Sequence, residues 1–379
     1  MSASGRAQAV GRKLASDGPW ATAVQAWVVA RVLALAGTLF ARVAASYLVH
    51  QRTFPLRQGP FGWLAWDGGW YEAIARHGYG ALDKQALRFF PLYPMAGKAL
   101  AWLLGGNTQL ALLILANAGA LGAGVLIYKL VSFETGDAVK ARRSVWYLAL
   151  FPASFVLVWA YAEPLFLCAA IGAFLAYRRG NWWWAALAGL AAALLRPVGC
   201  LLAIPALIEL VRSRRREPIA RPDRIAAVVA PIAGLAAYLA WVGVRFHDWA
   251  LPYTVQEGLR GKTINPASRL IDGLKELGGP SGLKQGLHIP FALIFVVLVI
   301  VVLWRWPVSY GLFAAAVLIV SLGSANINSL ERYALGAFPL ILGLVTVTDD
   351  ERLDRIVFAC TSASYVALCG LALVGAYVP

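Results

Sequence analysis

The stretch of this chain best equipped for chemistry is Trp66-Asp67-Gly68-Gly69-Trp70-Tyr71. Aromatic faces suit the apolar faces of sugars, and a carboxylate among them suits a general base or a ligand for hydroxyls. The surrounding segment, Trp63 to Pro94, carries charge of both signs and closes with Arg88-Phe89-Phe90-Pro91-Leu92-Tyr93-Pro94. Tryptophan and tyrosine also gather where a chain crosses a membrane–water boundary, so the aromatics alone fit an interfacial loop equally well. An acidic residue flanked by Gly-Gly and two aromatic pairs is harder to assign to that role. Glu72 and Asp83 lie nearby in more ordinary amphipathic surroundings.

Four further groups hold polar residues in otherwise apolar sequence. Phe151-Pro152-Ala153-Ser154 precedes Trp159-Ala160-Tyr161-Ala162-Glu163-Pro164, which places a glutamate at a helix break. Such a residue compensates a helix N-terminus, or serves as a sugar ligand or second acid/base group. Leu195-Arg196-Pro197-Val198-Gly199 puts an arginine among apolar residues, where it needs an anion: a phosphate, Asp67 or Glu163. Arg245-Phe246-His247-Asp248-Trp249, then Tyr253 and Gln256-Glu257, open a long polar stretch whose later basic residues read mainly as a solvated loop. Ser329-Leu330-Glu331-Arg332-Tyr333 either anchors a helix end or holds a lipid phosphate. The candidate catalytic residues are therefore Asp67 and Glu163. The candidate substrate contacts are Trp66, Trp70, Tyr71, Arg88, Tyr161, Arg196, Arg245, His247, Gln256, Glu331 and Arg332. No P-loop or GxGxxG opens a helix and no HExxH occurs, so no nucleotide, cofactor or metal is expected. His50, His77, His247 and His288 have no metal-site spacing, and a hydrogen-bonding or interfacial role suits them better. The four cysteines lie in apolar segments without a CxxC pair and read as buried small residues.

The elements that must position these residues are membrane helices. The chain has 379 residues, 60% of them hydrophobic and 14% charged, with a mean hydropathy of +0.66. A soluble domain carries about a quarter charged residues. The net charge of +15 falls in short clusters between apolar spans, the pattern of membrane loops rather than of nucleic-acid binding. Apolar segments near 21–49, 107–129, 144–159, 164–178, 182–195, 198–211, 225–245, 290–305, 309–322, 333–348 and 356–376 predict about eleven crossings, several of them broken or re-entrant. Residues 93–104 add a half-span. Residues 1–20 read as a disordered cytoplasmic tail and 21–379 as one transmembrane domain, all α-helical. Arg31 and Arg42 interrupt the first span on one face and must meet protein or water.

Basic clusters set the orientation. With the N-terminus in the cytoplasm, Lys129/Lys140/Arg142/Arg143, Arg178/Arg179, the arginines of 212–224 and Arg352/Arg355 all fall inside. Two long loops, 50–94 and 246–289, then face the periplasm or exterior. Asp67, Glu163, Arg196, His247, Gln256, Glu257, Glu331 and Arg332 all land on that same outer side.

These motifs resemble those of the PIG-V-type mannosyltransferases, which in eukaryotes add the second mannose of GPI anchors and have bacterial homologues. Trp66-Asp67-Gly68-Gly69-Trp70-Tyr71, Ile74-Ala75, Gly78-Tyr79 and Arg88 to Pro94 look like the family's first-loop signature. Phe151-Pro152-Ala153-Ser154 with Tyr161-Ala162-Glu163-Pro164-Leu165-Phe166, Leu195 to Gly199, and Glu331-Arg332-Tyr333 resemble its later motifs. Ala162 stands where eukaryotic members usually carry serine and Pro197-Val198 where they have Ser-Asn, departures that bear on the acceptor more than on the chemistry. The resemblance implies a GT-C architecture, a catalytic carboxylate in the first outer loop, a polyprenyl-phosphate sugar donor, and a glycolipid or glycan acceptor. Two other readings are a flippase for lipid-linked sugars, to which Arg31, Arg42 and the broken helices would belong, and a non-catalytic partner subunit. Against the flippase, no internal repeat is visible and the polar residues gather at one face.

Overall fold

The computed structural model describes residues 18–48, 62–213, 221–276, 286 and 288–379. The predicted tail up to residue 17, part of the first loop (49–61), the arginine-rich 214–220 and most of 277–287 lie outside them. Among the described residues the chain is all helix, with a single β-bridge, Thr263 to Ser324.

The helices are α1 (Pro19–Leu48), α2 (Asp67–His77), α3 (Leu92–Leu103), α4 (Thr108–Thr135), α5 (Ala138–Leu150), α6 (Glu163–Arg179), α7 (Trp182–Leu195), α8 (Ala203–Ser213), α9 (Pro222–Phe246), α10 (Leu251–Arg260), α11 (Pro266–Glu276), α12 (His288–Arg305), α13 (Val308–Leu322), α14 (Leu330–Leu335), α15 (Pro339–Val347) and α16 (Glu351–Leu373). Their ends follow local chemistry. Asn107, Asp137 and Asp350 accept backbone N–H bonds at the starts of α4, α5 and α16, while Gly136 and Gly180 close α4 and α6 in the left-handed conformation.

Five helices, α1, α4, α9, α12 and α16, are each long and apolar enough to cross a bilayer. The shorter crossings are broken where the sequence demands it. The segment expected at 144–159 is helical only to Leu150, because Pro152 disfavours helix at Phe151 and lacks an N–H. The irregular backbone that follows needs protein partners, since lipid offers none. Every residue from 151 to 164 is buried. Arg31 of α1 donates to Leu157 O (3.2 Å) and to Asn117 Oδ1 (2.8 Å), and Asn117 Nδ2 reaches Val158 O (3.1 Å). The first intramembrane arginine thus meets protein, as its position required, and it braces a helix break. Arg42 lies on the exposed surface of α1. The 333–348 segment is likewise split, into α14 and α15, and 198–211 into a 3-10 turn (Pro197–Leu202) and α8.

Helix α6 runs through the centre, packed by α4 and α7, while α1 lies against α4, α5 and α16. Exposed tryptophans mark helix ends: Trp20, Trp183, Trp184 and Trp304 at one set, Trp102 and Trp249 at the other. Aromatic belts at both interfaces are what a membrane-spanning bundle presents. Of the cysteines, Cys369 is buried, Cys168 and Cys200 are half-buried, and Cys360 is exposed on α16.

Candidate functional site

Asp67 is aimed by strain and by a side-chain tether. Trp66, one residue before α2, has φ 58° and ψ −119°, a conformation costly for a residue with a Cβ. Its indole Nε1 donates to Ala372 O on α16 (2.9 Å), which fixes that turn. Ala160 N donates to Trp63 O (2.8 Å), docking the loop on the broken segment before α6. Asp67 then opens α2, where a carboxylate is favoured by the helix dipole.

Glu163 opens α6 as expected, with Pro164 next. Arg196 sits in extended backbone between α7 and the 3-10 turn. That turn folds tightly onto α7: a Cβ at Gly199 would collide with the Ala192 backbone. Arg88 lies in a short turn bracketed by tyrosines: Tyr238 OH donates to Leu87 O and Tyr79 OH to Phe89 O, both at 2.7 Å. Arg332 lies on α14, where Ser329 just before it has φ 68°.

Four segments far apart in the chain therefore converge. Arg332 Nη1 donates to Asp67 Oδ2 (2.6 Å) and to Glu163 Oε1 (3.1 Å). Arg196 Nη1 lies 2.6 Å from the same Glu163 oxygen, an ion-pair contact in which the N–H is not aligned on the acceptor. Arg88 Nη2 is 3.8 Å from Asp67 Oδ1. Three guanidiniums surround the Tyr333 ring: Arg260 at 4.2 Å, Arg332 at 5.0 Å and Arg196 at 5.1 Å from its centroid. Burial alone would raise the Asp67 carboxyl, but Arg332, with Arg88 and Arg260, outweighs it and holds the group below the usual carboxylate range.

The cluster lines a cavity of about 620 Å³. Asp67, Tyr71, Arg88, Glu163, Arg196, Gln256 and Arg332 line it, joined by Tyr253, Glu257, Arg260 and Tyr333. Leu195, Val198, Leu201, Ile264, Ile319 and Val320 add an apolar part to the lining, and Ile319 and Val320 are 58% and 52% exposed on α13. Helix α10 covers one side, packed on the Lys84–Arg88 turn. It is held there by residues 260–264 pairing with 323–326, with Asn326 N to Arg260 O at 2.9 Å and Ile264 N to Gly323 O at 3.0 Å. Glu163 Oε2, Arg332 Nε and Arg88 Nε are buried without a hydrogen-bond partner. Unsatisfied buried polar atoms are costly, and their concentration here marks a site built to meet something polar.

The remaining candidates lie outside the cavity lining. Tyr161 sits beneath the cluster, its hydroxyl 3.4 Å from Asp67 N. Trp66 is committed to α16, and Trp70 stacks on Phe89 at 5.9 Å. Arg245 and His247 are exposed at the end of α9. Glu331 points away from the cavity, to His288 and Tyr377. Glu72 is tied to Gln109 and Arg76, and Asp83 caps the turn before Arg88, so both neighbours of Asp67 have structural work. Tyr253, Glu257, Arg260 and Tyr333 line the cavity without having been among the sequence candidates. Arg260 stood among basic residues of a polar loop, and nothing in its spacing distinguishes it. Among the described residues, no three of His, Cys, Asp and Glu gather as metal ligands.

No family model matches the chain, and no curated protein matches it either. Solved structures do. ArnT from Cupriavidus metallidurans bound to undecaprenyl phosphate is similar with a TM-score of 0.52 at 16% identity, over 93% of this chain and 69% of that one. The Archaeoglobus fulgidus oligosaccharyltransferase in complex with Zn and sulfate gives 0.46 at 14% identity, over 91% of this chain and 53% of that chain. AglB from the same organism, with an inhibitory peptide and a dolichol-phosphate, gives 0.44 at 13% identity, over 93% and 54%. This chain thus spans about half the length of the oligosaccharyltransferases. The fold is that of a GT-C polytopic membrane protein.

Proposed function

We propose that the protein is an inverting membrane glycosyltransferase that moves a sugar from a polyprenyl-phosphate carrier to a hydroxyl acceptor. The observation that carries this reading is the shared guanidinium: Arg332 bridges Asp67 and Glu163 in a cavity whose lining divides between charged groups and apolar side chains, two of them exposed on α13. An anionic headgroup on an apolar tail fits that division. The structurally similar ArnT is bound to undecaprenyl phosphate, which agrees. The resemblance of the sequence motifs to PIG-V-type enzymes adds mannose as the sugar and a glycolipid or glycan as the acceptor. The distribution of basic clusters supports a cavity on the periplasmic or outer side of the cell membrane.

The chemistry follows from the residues. Asp67 takes the proton of the acceptor hydroxyl. The acceptor oxygen attacks the anomeric carbon from the face opposite the phosphate. The carbon–oxygen bond to the phosphate breaks, and its electron pair leaves with the lipid phosphate. A phosphate is a good leaving group and needs no general acid, only fixed positive charge. Arg332 and Arg196 supply that charge, with Arg88 and Arg260 beside them. One displacement inverts the anomeric centre, so a β-linked donor gives an α-linked product.

The position of Arg332 has a kinetic consequence. Paired with Arg332, Asp67 is a weak base. A lipid phosphate beside Arg332 competes for the same guanidinium and loosens its hold on Asp67. The base thereby strengthens when the donor is in place. Turnover by purified protein given a synthetic polyprenyl-phosphate mannose tests the function. A flippase or partner subunit would bind the lipid and release no sugar.

A further inference from the structure

Glu331 is buried without any exposed surface, next in sequence to Arg332, yet it faces the other way. Both its carboxylate oxygens lie 2.9 Å from His288 Nδ1, at the first turn of α12. Tyr377 OH donates to Oε2, also at 2.9 Å. All three side chains are sealed in the core, His288 and Tyr377 at 2% exposure. None of them lines the cavity.

A buried carboxylate is expensive, and here it sits one residue from the site's central cation. The element it stabilises explains its presence. Helix α14 has only six residues, too few to hold its shape alone, and it starts from Ser329 in a left-handed conformation. Arg332 leaves it toward Asp67 and Glu163. An orientation fixed to a few tenths of an ångström needs anchorage from behind as well as from the front. Glu331 supplies it by tying the same turn to α12 and to the chain segment after α16.

We propose that Glu331, held by His288 and Tyr377, is a positioning residue that sets Arg332 for the lipid phosphate. The inference rests on the reading of the cavity as a polyprenyl-phosphate site. Its sign separates it from simple electrostatics. Glu331→Gln removes a negative charge close to an anion site, so charge alone predicts tighter phosphate binding. Loss of anchorage predicts weaker binding.

The test is titration of the full chain, in nanodiscs, with farnesyl phosphate. Arg332→Leu should weaken binding. Glu331→Gln should weaken it roughly tenfold, within the range by which residues touching no ligand alter affinity. His288→Leu should do the same, whereas His288→Asn, which keeps an N–H near the Nδ1 position, should restore most of the affinity. Adding Glu331→Gln to Arg332→Leu should weaken binding no further, because Glu331 acts through Arg332; a general loss of structure would add. Tyr377→Phe removes one donor and leaves the His288 pair, so a smaller loss remains measurable if Glu331→Gln fails to fold. Unchanged or tighter binding in folded Glu331→Gln, or in Tyr377→Phe, with Arg332→Leu still impaired, overturns the positioning role alone. No binding to wild type, or no effect of Arg332→Leu, overturns the phosphate reading beneath it.

Discussion

Helix α6 carries a buried arginine–carboxylate cluster at each end, and the two differ in what they leave unfinished. At its start, Glu163 meets Arg196 and Arg332. About 22 Å along the helix, at 1.5 Å per residue, Arg178 meets Glu134 and Glu209. The second cluster is closed. Arg178 is bidentate to Glu134 and also donates to Glu209 Oε2 (3.1 Å), Ser309 Oγ donates to Glu209 Oε1 (2.7 Å), and Tyr310 OH donates to Glu134 Oε1 (2.9 Å). It clamps the ends of α4, α6 and α8 to the start of α13, and none of its residues lines the cavity beside Glu163. The first cluster has the same residue types, but leaves Glu163 Oε2 and Arg332 Nε buried and unpaired beside the cavity. Buried ion pairs are weak evidence for function by themselves. What separates the two is the accounting of donors and acceptors, complete in one and open in the other.

That contrast can be broken from either end. The largest structural effect should come from Arg178→Leu, which strands two buried carboxylates. Unfolding measured in lipid should show a loss of roughly 3–5 kcal/mol. Turnover per folded molecule should stay near wild type, and a selective loss of turnover would remove the distinction between the two ends. Arg196→Leu should do the reverse. Fold should survive while lipid-phosphate affinity falls roughly 10- to 100-fold, the worth of a hydrogen bond to a charged group. Unaltered affinity in that variant would make Arg196 only a structural partner of Glu163. Tyr310→Phe should cost about 1 kcal/mol of stability and no turnover, since Arg178 still pairs Glu134.

The pH dependence sharpens the open end further. Arg332 holds the Asp67 carboxyl below its ordinary value. A depressed carboxyl contributes stability that is present above the unfolded value of about 3.9 and is lost as pH falls through the folded one. Asp67 therefore stays ionised across pH 5–8. The acid limb of kcat/KM, which reports the free protein, should lie below the usual carboxylate range. The limb of kcat, reporting the donor complex, should lie at higher pH, because phosphate draws Arg332 away. Coincident limbs would mean that Arg332 never shifts its allegiance.

Much of this arrangement was legible in the sequence. Asp67 stood out because an acidic residue between Gly-Gly and aromatics has no structural excuse. Glu163 and Arg196 stood out because each interrupts apolar sequence at a helix break, where a charge needs a partner. Charge patterning groups all of them, with Arg332, on one side, in agreement with their contacts. The aromatic candidates divided: Tyr71 lines the cavity, whereas Trp66 and Trp70 do not. Trp66 and Trp70 read as sugar platforms, but one pins a strained turn to α16 and the other stacks on Phe89. Arg245 and His247 looked equivalent to Gln256, and only the turn of α10 toward the cavity separates them. The Glu331–His288 pair spans 43 residues, and the Arg178–Glu134 pair 44. Nothing local announces such contacts, because a membrane bundle sets them by helix packing. The break at Pro152 was visible as a proline, but its bracing by Arg31 and Asn117 was not.

The most direct measurement is release of lipid phosphate from a polyprenyl-phosphate sugar by purified wild type, Asp67→Asn and Glu163→Gln at saturating donor. Asp67→Asn keeps the shape of the side chain and removes the base. It should bind donor and turn over ~10²–10⁴-fold more slowly, while Glu163→Gln should be milder. Near-normal turnover in Asp67→Asn with a dead Glu163→Gln would contradict the account and give the base to Glu163.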